Sequence, residues 1–195
     1  DNQSSDLCNP LHTYQTTGVF TVSLSVSGPG GSSQVTQTDL AAVGAAAEVA
    51  PETGGELVYT ASSGEQVTVQ VPPAAVSDPV TLVFSPLVDD TAPADMAFAG
   101  QTFNLDAYLD GTLLDELVFT QPVTVTIAYT EADVYNIDET DLTLYYWDEA
   151  LSSWQDVASS CNPASVYDRR PAENWLAVEI CHLSRFSLFG DPHYH

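Results

Sequence analysis

Between residues 20 and 27 the chain alternates strictly between apolar and hydroxyl side chains. Phe20, Val22, Leu24 and Val26 fall on one side; Thr21, Ser23 and Ser25 fall on the other. A period of two belongs to an extended strand, whose successive side chains point to opposite faces of a sheet. The same alternation returns in Val67, Val69 and Val71, and again in Val123, Val125, Ile127 and Tyr129. Helical spacing of apolar residues is nearly absent. The chain is therefore expected to be all-β.

Turn residues divide the strands. Gly28-Pro29-Gly30-Gly31 predicts a hairpin between the first strand and a polar return strand at 33–38. Residues 41–55 read as a linker of small residues ending in Pro51-Glu52-Thr53-Gly54-Gly55. The Ala run within it could form one or two helical turns, and Gly44 weakens that tendency. Further strands are expected at 57–60, 66–71, 80–84, 97–109, 113–120, 122–129, 142–147, 154–157, 175–180 and 186–189. Pro72-Pro73 should end the 66–71 strand, because proline cannot donate to a ladder. The expected organisation is a hairpin segment at 1–40, a linker at 41–55, a sandwich at 56–190 and a tail at 191–195.

Charge narrows the partners. The 195 residues hold 27 Asp plus Glu against three arginines (Arg169, Arg170 and Arg185), for a net charge of -24. Lysine is absent. Nucleic acid and anionic membrane surfaces need basic residues and are excluded as partners. No apolar stretch reaches the roughly 20 residues of a membrane-spanning helix. Without lysine there is no Lys–Asn isopeptide staple, Schiff base or P-loop. At 44% apolar the chain can still bury a core, as one large domain or two small ones. It begins at Asp1 without Met or a signal peptide, which is expected of a processed or trimmed chain.

Three cysteines leave at least one outside any internal pair. Cys161 and Cys181 are close in sequence, and a bridge between them is expected to contribute about 3 kcal/mol. Two buried thiols are the alternative. A bridge suits an oxidising compartment, as does the sequon Asn2-Gln3-Ser4. His12, His182, His193 and His195 show no zinc-ligand spacing with the cysteines.

Two acidic loops are candidate calcium sites: Asp89, Asp90 and Asp95 in one, and Asp133, Asp138, Glu139 and Asp141 in the other. Calcium takes six to eight oxygens, which loops between strands can supply. Neither loop has EF-hand spacing, and solvated loop charge is the plainer reading. Tyr145, Tyr146, Trp147, Trp154 and Trp175 could stack on a sugar, or pack as core and cross-strand pairs. Arg169 and Arg170 are expected to serve local partners. Nothing in the spacing selects a carboxylate pair for glycoside hydrolysis.

Two stretches carry resemblances. Asn9-Pro10, His12-Thr13-Tyr14, Gly18-Val19-Phe20-Thr21-Val22-Ser23-Leu24 and the Gly28–Gly31 turn resemble the last strands of a polycystic-kidney-disease (PKD) type β-sandwich. The earlier strands of that domain are missing, so the apolar face of the hairpin needs cover. Val69-Gln70-Val71-Pro72-Pro73-Ala74-Ala75-Val76, then Val80-Thr81-Leu82, resemble the ZU-type β-sandwich of ankyrins, netrin receptors and zona-occludens proteins. Ala74 stands where that family has glycine, which puts a positive-φ turn in question. Cys181-His182-Leu183-Ser184-Arg185-Phe186-Ser187-Leu188 resembles the ending of ZU-type and related autoproteolysis-inducing domains. The resemblance implies His182 as general base and Ser184 as nucleophile, cutting after Leu183. Many relatives keep this motif and do not cleave.

The combined expectation is a non-catalytic structural or adhesion protein at a prokaryotic cell surface. It would be a homo-oligomer or larger assembly, built by β-strand complementation through Phe20, Val22, Leu24 and Val26. A surface-displayed glycan- or protein-binding module is the alternative, and self-cleavage is the third. No cofactor is required beyond the candidate calcium.

Overall fold

A computed structural model of the chain describes residues 3–88, 91–115 and 117–192. Asn2 of the sequon, the calcium candidates Asp89 and Asp90, and His193 and His195 in the tail lie outside them. The fold is all-β. Its strands are β1 (Gly18–Gly28), β2 (Gly31–Val43), β3 (Ala45–Val49), β4 (Gly55–Thr60), β5 (Gln66–Val71), β6 (Val80–Pro86) and β7 (Ala97–Leu109). There follow β8 (Thr112–Leu113), β9 (Val118–Ala128), β10 (Thr143–Asp148), β11 (Ser153–Asp156), β12 (Asp168–Arg170), β13 (Trp175–His182) and β14 (Arg185–Gly190).

Two antiparallel sheets face each other. The larger runs β11-β10-β14-β7-β6-β3, with β8 added beside β7; the smaller runs β12-β13-β9-β5-β4. Alternation explains the core between them. Leu82 and Phe84 of β6, Phe103 and Leu105 of β7, and Phe186 and Leu188 of β14 point inward from one sheet. Val67, Val69, Val125, Ile127, Val178 and Ile180 point inward from the other. Each such side chain contributes about 1.5–3 kcal/mol on burial. A column of rings joins the layers. Tyr59 stacks on Phe84 at 4.3 Å, Phe84 on Phe103 at 4.5 Å, and Phe103 lies 5.5 Å from Phe186.

The segment read as a linker is structural. Ala45–Val49 is the edge strand β3, paired along its whole length with β6. Ala45 and Ala47 pack on the core. Tertiary pairing overrides the helical preference of alanine here. The chain then turns from one sheet to the other through an Ala50–Gly54 bridge. Gly54 has φ 69° and lies against the Val71 carbonyl, where a Cβ would collide.

The break expected between 113–120 and 122–129 also differs. β9 runs through Pro122 without ending. Its register against β13 shifts there: Ile180 faces Val123, but His182 faces Val118. Pro122 sits inside this bulge, where no ladder donor is required. Thr120 anchors the bulge, its N–H donating to the Ala75 carbonyl at 3.0 Å and its hydroxyl to the Ala74 carbonyl.

β1 and β2 form a separate two-stranded ribbon. Its root is docked on the β4–β5 turn. The Thr17 hydroxyl donates to the Thr60 carbonyl at 2.6 Å, and Gly18 lies against the Ser62 backbone. Phe20 is only 7% exposed and stacks on Tyr14 at 4.3 Å. Beyond Phe20 the ribbon projects into solvent.

Ala74 keeps the positive φ that its position demands, at 63°. A side chain in this region costs about 1 kcal/mol relative to glycine. Ala74→Gly should therefore raise stability by about 1 kcal/mol in urea denaturation, with an unchanged m-value.

Candidate functional site

The ribbon is the first candidate. Of the four residues expected to form an interface, Phe20 is covered within the chain, whereas Val22, Leu24 and Val26 are exposed. Leu24 pairs directly with Val35, so both add to one apolar face; they are 64% and 59% exposed. The opposite face is a hydroxyl ladder, with Ser23 Oγ 2.9 Å from Thr36 Oγ1. Natural edge strands are guarded by charged side chains, prolines or bulges. The outer part of this ribbon, from Val22 to Gly28 and back to Gln37, is in regular register and carries no charge; its only proline is in the turn.

The second candidate lies on the outer face of the smaller sheet. The β9 bulge and the end of β13 form the floor of a groove of about 810 Å³, and the segment 160–166 forms its wall. Cys161 and Cys181 are joined, so the expected bridge ties the wall to β13. Tyr167 fixes the far end of the wall. Its hydroxyl is 2.7 Å from Asp156 Oδ1 and 3.0 Å from the Leu144 carbonyl. Burial, the Asp156 hydrogen bond and the Asp156 charge raise that phenol well above its ordinary pKa, so it remains protonated. Val118 and Val166 on the rim are 67% and 85% exposed. Sequence reasoning missed this groove. Its one signal was a proline inside a strand-like run, a feature that marks bulges.

The His182-Leu183-Ser184 motif is at the β13–β14 corner. His182 Nδ1 lies 3.1 Å from the Leu183 carbonyl oxygen, and its ring meets Tyr146 edge-on at 4.6 Å. The Ser184 hydroxyl donates to the Trp147 carbonyl at 3.0 Å. Histidine thus addresses the carbonyl oxygen, while the serine proton is directed to another strand. A general base would have to receive that proton.

Three of the acidic candidates hold turns or a neighbouring hydroxyl. Asp133 accepts from the Thr130 N–H and hydroxyl, each at 2.8 Å. Asp138 accepts from the Thr140 N–H and hydroxyl at 2.9 and 2.6 Å. Glu139 accepts from the Tyr129 hydroxyl at 2.9 Å. The Asp141 N–H donates to the Asp138 carbonyl at 3.1 Å, and Asp95 lies in the exposed loop before β7. Among the described residues no three His, Cys, Asp or Glu side chains group as metal ligands.

The five aromatics do not share one surface. Trp147 and Trp154 meet edge-to-face at 5.4 Å, and Arg185 lies 5.4 Å over the Trp154 ring. Tyr146 packs against the core, and Trp175 is on the other sheet, 5.9 Å below Arg170. The arginines serve local partners. Arg170 pairs with Asp168 at 2.8 Å, while Arg169 donates to the Leu142 carbonyl at 2.7 Å and covers the Tyr167 ring.

Two measurements follow from this geometry. Replacing Cys161 and Cys181 by serine should cost about 3 kcal/mol in urea denaturation. Reductant should reproduce that loss in the parent chain and do nothing to the double variant. Ser184→Ala should cost about 1 kcal/mol for its hydrogen bond to Trp147. Both the parent and Ser184→Ala should keep one intact mass under denaturing mass spectrometry after prolonged incubation; a fragment ending at Leu183 would contradict this.

No protein-family model matches the sequence, and no curated protein matches it.

Proposed function

We propose that this chain is a non-catalytic structural subunit of an extracellular, prokaryotic surface assembly, joined to its neighbours through the β1–β2 ribbon. The exposed apolar face of the ribbon carries this reading. A two-stranded ribbon is marginally stable in water, and its apolar face and unguarded edges are most stable when covered. β-augmentation by a neighbouring subunit supplies both, giving main-chain hydrogen bonds along an edge and burial of alternate side chains. In this proposal the ribbon is the end of a PKD-type sandwich and the two-sheet body is ZU-type. The Cys161–Cys181 bridge supports an oxidising compartment.

Charge favours the same element. No Asp, Glu, Lys or Arg occurs between Asp6 and Asp39, in a chain of net charge -24. Two such bodies repel each other, and a neutral arm is the element that can cross between them with least opposition.

The test is a charge on the ribbon. Leu24→Glu should leave the thermal midpoint of the body unchanged, because Leu24 is exposed and remote from the core. It should shift the protein from polymers to single particles in sedimentation and electron microscopy. Polymers of the variant as abundant as those of the parent would refute the proposal.

A further inference from the structure

We propose that the acceptor for the ribbon is the groove beside the Cys161–Cys181 bridge on a second copy of the chain, so that subunits join head to tail. The inference rests on the assembly reading above for the cover of the ribbon's apolar face, not for hydrogen bonding along its edges, since the groove lies on the face of the paired strands β9 and β13; it adds the site and identity of the partner.

Placement is the first argument. The ribbon leaves the body at the β4–β5 turn, where Thr17 meets Thr60 and Gly18 meets Ser62. In the smaller sheet, Thr60 pairs with Gln66, Val67 with Ile127, and Gln70 with Thr124. The turn therefore lies at the end of the sheet where β9 finishes. The groove lies at the end where β9 begins, lined by Val118 to Thr124. Donor and acceptor occupy opposite ends of one sheet. A subunit that inserts its ribbon into a neighbour keeps its own groove open for the next, which is a heterologous, propagating contact.

Chemistry is the second argument. Val118, Pro122, Pro163, Ala164, Val166 and Ala177 give the groove apolar walls. Among the described residues, two charged side chains line it. Asp168 is already paired with Arg170, which leaves Glu179. For a chain carrying 27 acidic residues this is a surface of low charge, suited to an uncharged ribbon. Val22, Leu24 and Val26 meet the apolar walls, and the Ser and Thr hydroxyls of the other face are left toward solvent.

The experiment uses the full chain with a photo-reactive benzoylphenylalanine at position 24, in equal amounts of isotopically heavy and light protein. Irradiation should give heavy–light cross-links from position 24 to peptides spanning 118–122 or 163–166. In parallel, Val166→Glu places a charge on an exposed groove wall without touching the core. It should raise the concentration needed for assembly at least tenfold and leave the thermal midpoint unchanged. If Leu24→Glu abolishes assembly while Val166→Glu does not, or if cross-links map to another ribbon, the groove is not the acceptor and the assembly reading stands alone. If Leu24→Glu assembles normally, the assembly reading fails and this inference falls with it.

Discussion

The column of rings from Tyr59 through Phe84 and Phe103 to Phe186 holds the body together. Three of its members come from adjacent strands of the larger sheet, and Tyr59 reaches across from the smaller one. Stacked rings add about 0.5–1.5 kcal/mol per pair beyond the area they bury. They also fix the relative register of the two layers, since each ring fits between particular neighbours. Every irregular feature of the surface is positioned by this packed interior. The Ala50–Gly54 corner can be tight because β3 and β4 are already committed to opposite sheets. The β9 bulge can exist because Phe119 and Val123 on either side of it are held in the core.

The bulge and the bridge act on each other. An extra stretch on β9 pushes Thr120 and Pro122 outward at the level of Cys181. The disulfide brings the 160–166 segment over that same level, and Tyr167 closes its far end. A groove results where a regular sheet would have a flat face. Its walls come from backbone irregularity and one covalent bond, so its shape does not depend on charged side chains.

The body's main strands were legible because alternation reports which face is buried, and one face of β4–β7, β9 and β13 is. That is why the Val67–Val71 and Val123–Ile127 patterns mapped directly onto inward-facing core positions. Ala45–Val49 was not legible, because alanine has almost no amphipathic contrast and its local preference favours helix. Only the open edge of β6 makes it a strand. Pro122 read as a break because the sequence does not show that the partner strand has shifted register at that point. Ala74 read as a possible loss of a positive-φ turn, yet the turn persists: the anchoring of its carbonyl by Thr120 outweighs a cost of about 1 kcal/mol. At the candidate sites, residue types were legible and directions were not. His182 and Ser184 are two apart in sequence, but a strand corner sends one to a carbonyl and the other to β10. In the 133–141 loop, neighbouring threonines and Tyr129 engage one carboxylate oxygen each of Asp133, Asp138 and Glu139.

Net charge then constrains what the fold can do with its surface. A chain with 27 acidic residues and three arginines, all three engaged locally, has no basic patch to offer an acidic partner, including another copy of itself. In the proposed assembly, contact between copies would therefore have to come from uncharged surface. The chain has such surface in two places, a ribbon without Asp, Glu, Lys or Arg from Gly18 to Thr38 and a groove walled by valine, proline and alanine. Hydroxyl side chains on the ribbon keep it soluble without adding to the repulsion. A charged ribbon would have guarded its own edges in the usual way, and the run from Gly18 to Thr38 carries no such guard, which is the feature the proposed assembly draws on.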